Sequence, residues 1–155
     1  MERPVTGRRY ASSIGNVSSS GLPITAQVLD ALHWDLALRH GWRAGRNPDA
    51  PDRVEMIVRE LGAASASGDG ADSIRLAARL ATAIATRPPY AAGNLALALV
   101  STCVILGRAG LDLHAEQGEV IAMLSALAER EIDRAGLVRW LRLRSVEREH
   151  ALSSK

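Results

Sequence analysis

RPPYAAGNLALALVSTCVILGRAG, Arg87 to Gly110, is the stretch whose reading decides the fold. It has two halves. Arg87 to Ala92 is a proline-broken loop that ends in small residues. From Asn94 to Leu106, the side chains of Leu95, Leu97, Leu99, Val100, Cys103, Val104, Ile105 and Leu106 leave no polar face. A helix that is apolar all round is buried in a core or crosses a membrane. This run falls short of the roughly 18 apolar residues that mark a membrane span, and Ser101 and Thr102 interrupt it. The expectation is a buried central helix from Gly93 to Arg108, stopped by the Gly110 signal. The loop feeding its N-terminus is where function is expected.

Composition narrows the class. A chain of 155 residues suits one domain. Aromatic residues make up 3% and Phe is absent, which favours helix packing over strands, since strands lean on aromatic and β-branched side chains. The only lysine is Lys155 at the end of the chain, so a Schiff-base or phosphate-gripping lysine within the fold is excluded. Cys103 is the sole cysteine, which rules out a disulfide framework within the chain and a thiolate-rich metal site. The histidines, His33, His40, His114 and His150, have no metal-ligand spacing, and no cofactor is expected. The first 20 residues hold no apolar segment of signal-peptide length, making the cytoplasm the expected location.

Outward from the central helix, apolar periodicity predicts five more helices. Residues 1–22, rich in Ser, Gly and Arg, read as a flexible arm before a helical domain over 23–149 and a tail over 150–155. A first helix, Thr25 to His40, carries the stripe Val28, Leu29, Leu32 and Leu36 and ends at Gly41. A second, Pro51 to Leu61, turns Val54, Ile57, Val58 and Leu61 inward. A third, Ala71 to Thr86, buries Ile74, Ala77, Ala78, Ala81 and Ile84, and Pro88 ends it by disfavouring helical geometry at Arg87. A fifth, Ala115 to Ala128, uses Val120, Ile121, Leu124 and Leu127. A sixth, Asp133 to Glu147, uses Leu137, Trp140, Leu141 and Val146. No strand pattern, internal repeat or coiled-coil heptad is visible. The expected fold is a compact all-α bundle of six helices.

Several strings, taken in order, resemble the Fic/Doc (death-on-curing) family. Its members carry a loop-to-helix motif, His-Pro-Phe-x-Asp-Gly-Asn-Lys-Arg, ahead of a buried helix. The matching string here is Pro88-Pro89-Tyr90-Ala91-Ala92-Gly93-Asn94-Leu95-Ala96. ALHWDLALRHG, Ala31 to Gly41, is similar to the family's first helix. GRNPDAPDRVEMIV, Gly45 to Val58, is similar to its Gly-x-Arg-Asp-Pro loop and second helix. LGRAGLDL, Leu106 to Leu113, resembles the turn after the central helix, and EREID through WLRLR its last helix. The resemblance spans residues 24 to 147 and implies the family's compact helical fold.

It also marks what has been lost. In the family the motif His takes a proton from the target hydroxyl; Pro88 stands there and cannot titrate. The acidic residue that serves magnesium or substrate corresponds to Ala92, and the phosphate-gripping cations correspond to Leu95 and Ala96. Transfer of phosphoryl or nucleotidyl groups depends on charge stabilisation, so the family's usual AMP- or phosphoryl-transfer is not expected. What persists is Gly93-Asn94 at a helix N-terminus, an anion-friendly turn, with Arg87 and Tyr90 nearby.

His33, Asp35 and Tyr90 are the candidate catalytic groups, because a His that titrates near neutrality suits acid–base work. His33 and His40, about two turns apart, are expected to face a shared groove. Arg46, Arg87, Pro88, Tyr90, Gly93 and Asn94 are the candidate ligand-binding residues, with Arg46 suited to clamp a carboxylate or phosphate bidentately. Two functions stand ahead of a third, a conventional toxin of the family that uses unusual residues. One is a repurposed scaffold that binds or transforms a small molecule in the former cleft, in a specialised biosynthetic pathway. The other is a pseudoenzyme that binds a protein, as toxin–antitoxin pairs do. A homodimer is compatible with either. Membrane insertion is not expected, and nucleic acid is disfavoured because the basic residues interleave with acids rather than with aromatics.

Overall fold

The computed structural model of the protein describes residues 24–66 and 72–149. The expected arm over 1–22 and tail over 150–155 lie outside the described residues. Among those described, six α-helices and one small antiparallel sheet form the chain. The helices are α1 (Ala26–His40), α2 (Arg53–Ala66), α3 (Ser73–Thr86), α4 (Asn94–Arg108), α5 (Gln117–Ala128) and α6 (Arg134–Arg144). Strand β1 (Leu111–Leu113) follows α4, and β2 (Ser145–Glu147) follows α6. The all-α bundle read from the sequence is what the structure has.

Local chemistry sets the helix ends. Thr25 Oγ1 accepts the Val28 N–H at 3.1 Å to start α1, and Gly41, at φ +68°, ends it in the left-handed region. Asp72 caps α3 by accepting from Ile74 and Arg75, and Asp133 caps α6 by accepting from Gly136 at 2.8 Å. Helix α3 stops at Arg87, directly before Pro88.

Helix α4 is the centre. Leu97, Ala98, Val100, Cys103, Val104, Ile105 and Leu106 are buried, and α4 packs against α1, α3, α5 and β1. Each Leu, Val or Ile among them contributes about 1.5–3 kcal/mol by leaving water. The two polar residues inside the run are absorbed differently. Ser101 Oγ donates to Leu97 O at 2.7 Å, whereas Thr102 Oγ1 is buried without a hydrogen-bond partner. Burial pushes the Cys103 thiol up to about 12. The closest helix pairing is α3 with α4, where Ala77, Ala78, Ala81, Ala83 and Ala85 are buried and their small side chains let the backbones approach. No helix among the described residues is long and apolar enough to cross a membrane.

The structure departs from the sequence reading at several edges. Helix α2 runs on to Ala66, through residues expected to be loop, because Gly62 is followed by helix-favouring alanines. Leu76 and Leu80 carry much of the α3 core, while Ile74 is only partly buried. Ile121 and Val146, expected inward, are 56% and 47% exposed. The sixth helix ends at Arg144 because residues 145–147 pair with β1, in the register Leu111↔Glu147, Asp112↔Val146 and Leu113↔Ser145. Three-residue strands are too short to register as a period of two. An Asp112–Arg148 ion pair at 2.8 Å links β1 to the residue that follows β2.

Candidate functional site

Two loops that are distant in sequence meet in front of α4. The segment Gly41 to Pro51 lies antiparallel to Arg87 to Gly93, joined by a bridge between Arg46 and Tyr90. The Asn47 N–H donates to Pro89 O at 2.9 Å, and the Ala91 N–H donates to Gly45 O at 3.0 Å. Pro88 brings no N–H of its own, yet its carbonyl accepts from Asn47 Nδ2 at 3.1 Å and from Arg53 Nη1 at 3.2 Å. Asn94 closes the turn on itself. Its side-chain oxygen accepts the Tyr90 N–H and its side-chain amide donates to Tyr90 O, both at 3.0 Å. Gly93 sits at φ +74°, where a side chain is disfavoured, and the Trp42 ring lies where a Cβ would be.

Helix α1 supplies the other wall. Asp30 and His33 stand one turn apart. His33, 1% exposed, stacks on Tyr90 with ring centroids 4.1 Å apart and planes 10° apart. Its Nε2 donates to Ala92 O at 2.8 Å. Tyr90, 2% exposed, donates its hydroxyl to Asp30 Oδ1 at 2.7 Å. Arg46 Nη2 reaches Asp30 Oδ2 at 2.9 Å, and Arg46 Nη1 reaches the Glu55 carboxylate at 2.6 Å. A network therefore runs Glu55–Arg46–Asp30–Tyr90, with His33 stacked on the tyrosine ring.

Electrostatics follow from those contacts. Burial works against the charge on Asp30, but hydrogen bonds from Arg46 and Tyr90 outweigh it and hold the carboxyl below its ordinary range. Burial first, then the Asp30 carboxylate, pushes the Tyr90 hydroxyl well above its ordinary range. Its hydrogen bond to Asp30 holds the Arg46 guanidinium firmly charged, with Glu55 adding to it. Asp30 is thus an acceptor and not a proton donor near neutrality, and Tyr90 a donor and not a base. Among the described residues no group of three His, Cys, Asp or Glu side chains is placed to hold a metal ion.

Of the expected residues, the structure brings together His33, Tyr90 and Arg46, with Gly93 and Asn94 shaping the turn beside them. Asp35 is not among them. It points elsewhere on α1, where it pairs with Arg39 at 2.9 Å. His33 and His40 do not share a groove: His33 faces inward, and His40 is exposed and stacks on Trp42 at 4.4 Å. Arg46 clamps carboxylates, as its chemistry suits, but they are Asp30 and Glu55 of its own chain. Arg87 faces α2, where both its terminal nitrogens bind the Glu60 carboxylate, at 2.9 and 2.6 Å.

Sequence reading passed over Asp30, Glu55, Asn47 and Trp42. Asp30 had a signal, since it precedes His33 by three residues and so shares its helix face. Trp42 had none beyond being a large ring in a polar loop. Neither protein-family models nor the curated proteins yield a match to this chain.

Proposed function

We propose that the chain is a Fic/Doc-like helical module that acts by binding, without the family's phosphoryl or nucleotidyl transfer. One observation carries this reading: the groups best suited to acid–base work, His33 and Tyr90, are buried and already bonded to Ala92 O and Asp30. A catalytic acid or base must reach a substrate proton, and these two reach only their own chain. The sequence adds Pro88 where the family has its base, and Ala92, Leu95 and Ala96 where it has its acid and cations.

The partner that fits is a protein, in a regulatory pair of the toxin–antitoxin kind. Trp34 and Leu38 lie one turn apart on α1 and are 58% and 68% exposed. Adjacent on one helix face, they offer an exposed apolar surface to a partner. The test is co-expression with the proteins encoded beside it, followed by size-exclusion chromatography. A stable complex that Trp34→Glu/Leu38→Glu abolishes supports the reading. A complex that survives both changes, or none at all, overturns the partner assignment.

A second reading, a small apolar ligand in the former cleft, is favoured by the half-buried lip of Ala91, Ala92, Leu95 and Ala96. It predicts that Leu95→Arg abolishes ligand binding while leaving the protein complex intact.

A further inference from the structure

On the side of α3 that carries Arg75 and Arg79 lies a groove that the reading above does not use. It runs between α3 and α6, holds about 820 Å³ and is bordered by Arg75, Arg79, Arg87, Arg134 and Arg139. Two carboxylates, Glu60 and Asp133, also border it. Both are engaged: Glu60 takes the Arg87 guanidinium on both oxygens, and Asp133 caps α6 through the Gly136 N–H. The hydroxyls of Thr82 and Thr86 in the lining are turned back to helix carbonyls, each at 2.7 Å. Arg134 and Arg139 are exposed and form no ion pair among the described residues. Arg134 occupies the first position of α6, directly after the Asp133 N-cap.

We propose that this groove binds a small molecule carrying at least two phosphate groups. Its volume lies within the range of about 300–1,000 Å³ usual for small-molecule sites. All of its cations are guanidinium groups, whose planar fork engages phosphate oxygens in pairs. Cations stand on both walls, Arg134 and Arg139 on α6 and, on α3, Arg79 and Arg75, the latter also 3.7 Å from the Asp72 carboxylate, so that a ligand with two phosphates meets guanidinium groups on either side. Arg87, fixed by Glu60, closes one end. No aromatic ring lines the groove, so it lacks the stacking platform that single-stranded nucleic acids use. Between the arginines the lining is Ala83, Ala135 and Val138, which suits a short aliphatic or sugar body.

Inorganic triphosphate serves as the probe, titrated calorimetrically against the full chain at moderate salt. The site predicts saturable one-to-one binding, weakened about tenfold or more by Arg134→Gln and again by Arg139→Gln, since each removes a charge-assisted contact. Arg108→Gln, an exposed arginine outside the groove, is expected to leave affinity unchanged. Both α6 residues are exposed, so the variants keep the wild-type melting temperature, which is measured alongside. No saturable binding, or equal weakening by Arg108→Gln, overturns the proposal. Binding that sulfate matches at equal concentration also overturns it, because a two-phosphate site must prefer linked phosphates. The groove is separate from the Trp34–Leu38 patch, so this outcome and that of the partner test are independent.

Discussion

Gly93 meets two demands at once. Its backbone lies at φ +74°, and its missing Cβ leaves room for the Trp42 ring. Alanine at φ > 0 costs about 1 kcal/mol before any clash, and the ring adds more because it must move. Gly93→Ala is therefore expected to lower unfolding stability by more than about 2 kcal/mol. In the Trp42→Ala background the same change should cost only the backbone part, and a denaturant-melt double-mutant cycle measures the difference. His33 and Tyr90 are read the same way. Tyr90→Phe loses the hydroxyl bond to the Asp30 carboxylate, worth about 1–2 kcal/mol given that Asp30 can rehydrate. His33→Ala removes the stacked ring and orphans Ala92 O, which should cost about 2–3 kcal/mol. Unchanged stability in either variant would mean that these contacts do not hold the loop. The sequence made this cluster only half legible. Asn94 and Gly93 announced a turn, but that Arg46 spends its fork on Asp30 and Glu55 depends on loop Gly41–Pro51 folding across Arg87–Gly93. No local pattern records that contact.

At the scale of elements, helices were readable wherever an apolar stripe recurred at helical spacing. Thr25, Asp72 and Asp133 each cap the helix that follows, and the proline pair after Arg87 ends α3. Elements that depend on pairing were not readable. Strand β2 exists because residues 145–147 find β1 across the molecule, and Val146 is exposed because it sits on that sheet rather than on a helix face. Helix α4 was legible in full, and it offers a direct check. Thr102 Oγ1 is buried with no partner, so Thr102→Val exchanges an uncompensated hydroxyl for a methyl group of similar size. That change is expected to raise stability by about 1 kcal/mol, read as a higher denaturant midpoint at unchanged slope. A loss of stability would mean that the hydroxyl is satisfied.

Across the whole molecule, arginine-held carboxylates set the acid sensitivity. Arg46 and Tyr90 hold Asp30 below its ordinary range, Arg87 does so for Glu60, and Arg142 with the α3 N-terminus for Asp72, in each of the aspartates against opposing burial. A carboxyl depressed in the folded state stabilises it above the unfolded value, near pH 4, and that contribution is lost as pH falls through the folded value. Stability should thus be level at neutral pH and fall below about pH 4. Urea midpoints across that range should fall less steeply for Asp30→Asn than for the wild type.

The proposed binding role requires that the loop before α4 be a fixed latch and not a mobile substrate-loading loop. Amide hydrogen exchange tests it at the bonds that make the latch: the N–H groups of Tyr90, Ala91 and Asn47, held by Asn94 Oδ1, Gly45 O and Pro89 O at 2.9–3.0 Å. A fixed latch gives protection approaching that of the α4 core amides, with Tyr90 and Ala91 losing it together in Asn94→Ala. Exchange of all three at the rate of an open loop, in a chain whose α4 amides are protected, would contradict it.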